Sequence, residues 1–352
     1  MRSFKYFLNR FLYLVIPTKQ KNTLYAFYDL EVSPVSYDFL NFIVLAEQER
    51  TQKKLKYLHF VVVPGKTDGF RKDDQFYYDL ETKWWRLKNI ITSACWLIPS
   101  CHGVTICSSR QEAYALELSL SRMIFPQYYS VLHPNAHYRL ARVFEESRKS
   151  FDLPGIQAPP GARNYVKDWI QIHGLEKKRI ITINLREASY QEKRNSNLEE
   201  WGKFIKSVDL NVYAFVVLRD LEKAFVPLPN DFKNTYILEA ALFNIEIRLA
   251  LIEASFLNLG VNTGTMGLCW QSRSAAYLNF KMITEGYPTA STPEKFISIG
   301  LLPGSQFPFA KSFQRLIWED DKVDVIQKEF QEFCSKNLHE ANTTNYDEYG
   351  KK

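Results

Sequence analysis

Short apolar runs of strand length recur along this chain, each followed by a stretch with helical spacing. That alternation constrains the fold more than any other feature. Residues 58–63 are a strongly apolar run, the mark of a strand buried on both faces, and 212–218 read as a further strand. Residues 36–54 place Phe39, Leu40, Ile43, Val44 and Ala46 at helix spacing, and Ser36 can cap their start. The same reading predicts strands at 23–28, 104–107, 128–132, 179–185, 235–238, 256–260 and 275–280. It predicts helices around Trp84 and Trp85 and at 110–122, 165–173, 198–208, 245–254, 265–272 and 324–336. Strands and helices in this order build mostly parallel sheets.

A chain of 352 residues suits two domains better than one core. Residues 152–163 hold Pro154, Gly155, Pro159, Pro160 and Gly161, the best linker candidate. The expected fold class is therefore α/β, with two Rossmann-like domains (22–158 and 164–337) facing a cleft and a polar tail at 338–352. The net charge of +6 is too mild for a dedicated nucleic-acid binder, but it suits an anionic ligand or membrane surface. Five cysteines without a CxxC pair argue against a disulfide framework or structural zinc and point to a reducing cytosol. Residues 1–18 are basic and apolar, interrupted by Lys5, Asn9 and Arg10. The unbroken run, 11–16, is too short to span a bilayer. Two readings stay open for this segment: an amphipathic helix on an anionic membrane face, or a first helix docked on the protein body.

Ligands of parallel sheets sit beyond the carboxyl ends of the strands. That rule selects the loops after Tyr28, Leu185, Leu218 and Gly260. Asn262, Thr263, Gly264 and Thr265 fill a strand–turn–helix corner, where free N–H groups and the helix dipole favour a phosphate. Arg186 directly follows a buried strand, and its planar fork suits a diphosphate. Arg194 and Asn195 come just before a helix that Asn197 can cap. Arg219, beside Asp220, is a weaker candidate that also reads as a surface ion pair. No Asp-x-Asp motif accompanies them, so the expectation is phosphate recognition without metal or bound cofactor. Neither a G-x-G-x-x-G fingerprint nor a Walker A loop is present. In the first half, Asp29 and Glu31 occupy the first strand-to-helix loop and could act as general base. Asp38 reads as an acid near a helix start, and His102 and His133 as structural histidines.

These residues carry a resemblance. The second half, with its arginine after the first strand and its Gly/Thr turn, resembles the nucleotide-sugar half of a GT-B glycosyltransferase. Leu185-Arg-Glu-Ala-Ser-Tyr190 and Lys193-Arg-Asn195 resemble bacterial surface-polysaccharide glycosyltransferases (capsule, O-antigen, LPS), whose stretch reads Arg-Glu-Pro-Gly-Tyr and then Arg-Asn. Here Ala188-Ser189 replaces Pro-Gly. Tyr28-Asp-Leu-Glu-Val-Ser-Pro34 with Tyr37-Asp38 is similar to proteins of polysaccharide gene clusters. The resemblance implies metal-independent transfer from a nucleotide sugar to a cell-surface glycan or lipid-linked acceptor. The enzyme would be cytoplasmic, peripheral on the inner face of the membrane. Arg186 and residues 262–265 would hold the diphosphate, with Arg194 and Arg219 nearby, and Glu31 or Asp29 would be the base. A nucleotide-sugar 2-epimerase and a non-catalytic binding protein on the same fold remain as alternatives.

Overall fold

The structure is a computed structural model that describes residues 22–72, 78–120, 123–149, 153–286 and 291–341, with side chains through 336. The N-terminal segment 1–18, residue 152 of the expected linker, and residues 342–352 lie outside the described residues. The chain divides into two units. One runs through residue 164 and adds 243–250 and 271–273. The other takes 165–242, 251–270 and 274 onward.

The first unit is built on a four-stranded parallel sheet, ordered β3-β2-β1-β4. Its strands are β1 (Thr23–Asp29), β2 (Tyr57–Val63), β3 (Cys101–Ile106) and β4 (Ile124–Phe125). Every residue of β1 is buried. Helix α1 (Phe39–Gln52) starts later than the capping pattern at Ser36 predicts. Asp38 takes the cap position, and the Ser36 hydroxyl bonds the Asp38 carboxylate at 2.9 Å instead. Helices α2 (Leu80–Arg86), α3 (Arg110–Ser119) and α4 (Leu140–Lys149) follow, and α5 (Pro160–Ile172) starts in this unit and has most of its length in the second. Asp79 caps α2 through the Thr82 N–H at 2.7 Å, and Ser109 caps α3 through Glu112. The strand expected at 128–132 is a loop. Residues 156 and 157 of the expected linker are bonded to chain neighbours, Ile156 N to Gln271 O at 3.0 Å and Gln157 N to Leu97 O at 2.8 Å.

The second unit carries a five-stranded parallel sheet, β6-β5-β7-β8-β9. The strands are β5 (Arg179–Asn184), β6 (Tyr213–Leu218), β7 (Leu257–Val261), β8 (Tyr277–Phe280) and β9 (Gln314–Leu316). In sequence between these strands come α6 (Leu198–Ser207), α7 (Ala240–Phe243), α8 (Ile245–Ala254, its residues through 250 in the first unit), α9 (Gly267–Gln271) and α10 (Pro293–Ser298), and α11 (Val323–Ala341) is the last described element. Ile181, Ile183, Trp201, Phe204, Phe215, Leu259, Phe280 and Phe330 form one buried core. Apolar burial at roughly 1.5–3 kcal/mol per large side chain is the main term holding such a core together. The strand expected at 235–238 is reduced to a single bridge between Val216 and Tyr236. Among the described residues no helix is long and apolar enough to cross a membrane.

The five cysteines are free thiols, and burial pushes Cys101 and Cys107 up to about 11. His59 is a more consequential titrating group. Its Nε2 lies 2.8 Å from Thr105 Oγ1, and its ring meets His102 at 5.4 Å. Burial, and then repulsion from His102, pulls its pKa from 6.5 to about 4. A pKa depressed by folding contributes stability that is present above 6.5 and lost as pH falls through about 4. Allowing for the solvent that reaches the ring, the loss is on the order of 2 kcal/mol. Urea titrations between pH 7 and pH 4 should show this fall, and His59→Gln should flatten it. Parallel pH profiles for the two proteins would exclude His59 as the source.

Candidate functional site

Each sheet reverses its strand order at one place. In the second sheet the chain goes from β5 outward to β6 and returns to β7 on the other side of β5. Open parallel sheets bind ligands at such a switch point, beyond the carboxyl ends. Here β5 ends at Asn184 and β7 at Val261, so Arg186 and Asn262 stand on either side of it. Register pairs Asn184 with Gly260. Glycine is needed there, because a Cβ would lie 2.9 Å from Met266 Sδ and 3.0 Å from Asn184 Cβ and O. Asn184 Nδ2 donates to Leu259 O at 3.3 Å, while its buried Oδ1 accepts from no group among the described residues.

The loops after β5 and β7 meet. Arg194 Nη2 donates to Asn262 O at 3.1 Å, and its Nη1 donates to Gln191 Oε1 at 2.7 Å. The Asn262 side chain is spent on the chain itself, donating to Met282 O at 3.0 Å and Ser291 Oγ at 3.3 Å. Thr263 takes the cap position with extended backbone, yet its hydroxyl makes no capping bond. A 3-10 turn, Gly264–Met266, follows and runs into α9. The helix expected from Thr265 therefore opens with a tighter turn. Gly264 is exposed, whereas Thr263 and Thr265 are buried. The first N–H groups of such a helix have no partner within it.

Arg186 and Arg219 are placed differently from the expectation of direct phosphate contact. Arg186 is 3% exposed. Its Nη1 donates to Gln191 O at 3.1 Å and to Asn195 Oδ1, and its Nη2 donates to Tyr190 O at 2.8 Å. The guanidinium lies 5.2 Å from the Tyr190 ring centroid. It closes the 186–195 loop on itself, because the loop's carbonyls offer a buried cation the acceptors it needs. Arg219 forms a two-pronged ion pair with Glu187, Nε to Oε2 at 2.7 Å and Nη2 to Oε1 at 2.6 Å. Asp220 accepts from the Glu187 N–H at 2.8 Å, so this pair ties the β6 loop to the β5 loop. A cavity of about 320 Å³ beside these loops is lined by Arg186, Glu187, Asn195 and Lys223 among others.

Sequence reasoning missed Lys281, the first residue after β8. Its Nζ donates to Asn195 O at 3.1 Å and lies 3.5 Å from Asp321 Oδ1. Asp321 Oδ2 accepts from Asn197 N at 2.7 Å and Trp201 Nε1 at 2.9 Å, and burial raises its pKa. Together they anchor the far end of the Arg186 loop. The only signal in the sequence was a cation directly after an apolar strand.

In the first sheet the switch point lies between β1 and β4. Asp29 ends β1 at 2% exposure. Its Oδ1 accepts from Arg110 Nη1 at 2.8 Å and Glu31 N at 2.9 Å. Its Oδ2 accepts from Arg110 Nη2 at 3.0 Å and Tyr129 Oη at 2.6 Å. Burial, reinforced by the Asp29 carboxylate, pushes the Tyr129 phenol up, so it remains a donor. With both oxygens occupied, Asp29 acts as an anchor for the loops around it. Glu31 is partly exposed, and its Oε2 accepts from the Lys66 N–H at 2.6 Å.

No protein-family model matches the sequence, and no curated protein matches it either. Solved structures align with it at low sequence identity. The glycosyl transferase family 9 protein of Veillonella parvula DSM 2008 aligns with a TM-score of 0.56 at 9% identity, over 89% of this chain and 97% of that one. The E. coli ADP-heptose lps heptosyltransferase II aligns at 0.48 and 8% identity, over 90% and 99%. E. coli heptosyltransferase WaaC with ADP-2-deoxy-2-fluoro heptose aligns at 0.41 and 11% identity, over 88% and 99%. With two parallel sheets and this match to the Veillonella protein, the chain has the α/β fold of GT-B glycosyltransferases.

Proposed function

We propose that the chain is a metal-independent glycosyltransferase that moves a sugar from a nucleotide sugar to a cell-surface glycan or lipid-linked acceptor. It works at the inner face of the cytoplasmic membrane, with residues 1–18 as the contact. The observation that carries this reading is the hydrogen bond from Arg194 to the Asn262 carbonyl. It joins a cation to the Thr263–Gly264–Thr265 turn at the switch point of the second sheet. The helix-start N–H groups, the two threonine hydroxyls and Arg194 hold the diphosphate and stabilise charge on the leaving nucleotide. Arg186, Arg219 and Lys281 shape the loops that present these donors. Glu31, the more accessible of the two carboxylates, is the base that takes the acceptor's hydroxyl proton.

Calorimetric titration with ADP, UDP, GDP and CDP in the presence of EDTA tests the donor half. One of the four should bind, and Arg194→Ala should raise its Kd about 10- to 150-fold, the worth of a hydrogen bond to a charged group. Absence of binding by all four, or an unchanged Kd in the variant, would sink the donor assignment.

A further inference from the structure

Tyr128 stands at the switch point of the first sheet, just past the end of β4, with its backbone in the left-handed region at φ 63°. A bulky aromatic residue is strained there, and glycine would not be. The strain supports no packing, because the residue is 89% exposed. The residues that follow are held rigidly. Tyr129 packs on Phe27 at 5.0 Å and bonds Asp29, the Val131 N–H donates to Glu117 Oε2 at 2.8 Å, and Val131 O accepts from Arg110 Nη2 at 2.5 Å. The alternation of inward Tyr129 and Val131 leaves Tyr128 and Leu132 facing outward, Leu132 at 60% exposure. Through Asp29, which bonds both Tyr129 and the Glu31 N–H, this aromatic edge belongs to the same end of the sheet as the Glu31 carboxylate.

We infer that Tyr128 is a platform for a saccharide ring of the acceptor. The aromatic face takes the sugar's apolar C–H face, Leu132 flanks it, and Glu31 accepts from a hydroxyl. This inference rests on the proposed reading of Glu31 as the base that meets the acceptor's hydroxyl. Two chemical arguments select a saccharide. One aromatic ring and one leucine are far too small for a stable protein interface, which needs about 800 Å² per partner. Gln127, Ser130 and His133, the first and last exposed and Ser130 half-buried, adjoin the pair along the chain and supply polar groups beside it, matching a ligand with one apolar face and a rim of hydroxyls. The rigid backbone means that little ordering is required on binding, which favours a weakly held sugar.

The test uses the full chain on an array of bacterial surface oligosaccharides, with nucleoside-diphosphate calorimetry run alongside. Wild type should retain a subset of the oligosaccharides, and Tyr128→Phe should retain them within about 2-fold. Tyr128→Gly should lose at least about 10-fold in retention, with its Tm unchanged or raised by up to about 4 °C as strain is relieved. Equal retention by Tyr128→Gly, or a fall in its Tm, would overturn the inference, the latter by showing that the residue is structural. Diphosphate binding without any oligosaccharide retention would overturn the platform alone. Failure of both would remove the transferase reading with it.

Discussion

Arg219→Ala is expected to lower the stability of the second unit by about 3–5 kcal/mol, the range for removing one member of a buried ion pair. The Arg219 side chain is 2% exposed and that of Glu187 is 9% exposed. Both Glu187 oxygens are matched to the guanidinium, and Arg219 Nη1 also donates to Val226 O. Without the arginine, a carboxylate is stranded in a medium that solvates it poorly. The loop after β6 also loses its tie to the loop after β5. The pair's own attraction is largely offset by its desolvation, so Arg219→Met with Glu187→Leu should recover most of the loss. Urea denaturation of the single and double variants measures this directly. A single variant within about 0.5 kcal/mol of wild type, as at an ordinary surface site, would mean that the pair is solvated and the loops are not tied through it.

The carboxylates of the first loop should separate into two roles. Asp29→Ala removes the common acceptor of Arg110, Tyr129 and the Glu31 N–H, and is expected to destabilise by about 3–5 kcal/mol. Glu31→Gln should leave stability within about 0.5 kcal/mol, because the glutamine amide oxygen can still accept from the Lys66 N–H and the lost ion pair with Lys66 Nζ is 3.9 Å long and open to solvent. Sugar transfer should nevertheless fall by about 10²–10⁴-fold, the usual range for loss of a general base. Thermal denaturation and a transfer assay on both variants decide the matter. Full turnover by Glu31→Gln would remove Glu31 from the chemistry, and a stable Asp29→Ala would remove Asp29 as an anchor.

The fold was legible in the sequence where elements are long and locally patterned. Strands β1, β2, β5, β6 and β7 are short apolar runs, buried over all or nearly all of their length, and their alternation with helices required parallel sheets. Elements that depend on distant partners were not legible. Strand β4 has two residues and β9 three, too few for any periodicity, and pairing with β1 and β8 is what makes them strands. Helix α4 was also missed. The alternation at 128–132 reads as a strand but reflects Tyr129 and Val131 anchored to Asp29, Arg110 and Glu117.

For the site, the sequence by itself determined position along the chain. The rule that ligands bind beyond carboxyl ends placed Asp29, Glu31, Arg186, Arg219 and residues 262–265 at sheet edges, and all follow or end strands in the structure. Only the tertiary structure decided what each side chain does there. Arginine and carboxylate side chains are long or freely rotating, and buried charge must find a partner wherever the fold supplies one. Arg186 turned into its own loop, Arg219 toward Glu187, and Asp29 toward Arg110 and Tyr129. Arg194 reached across 68 residues of sequence to the Asn262 carbonyl, a contact set by the order β6-β5-β7, which no local pattern encodes.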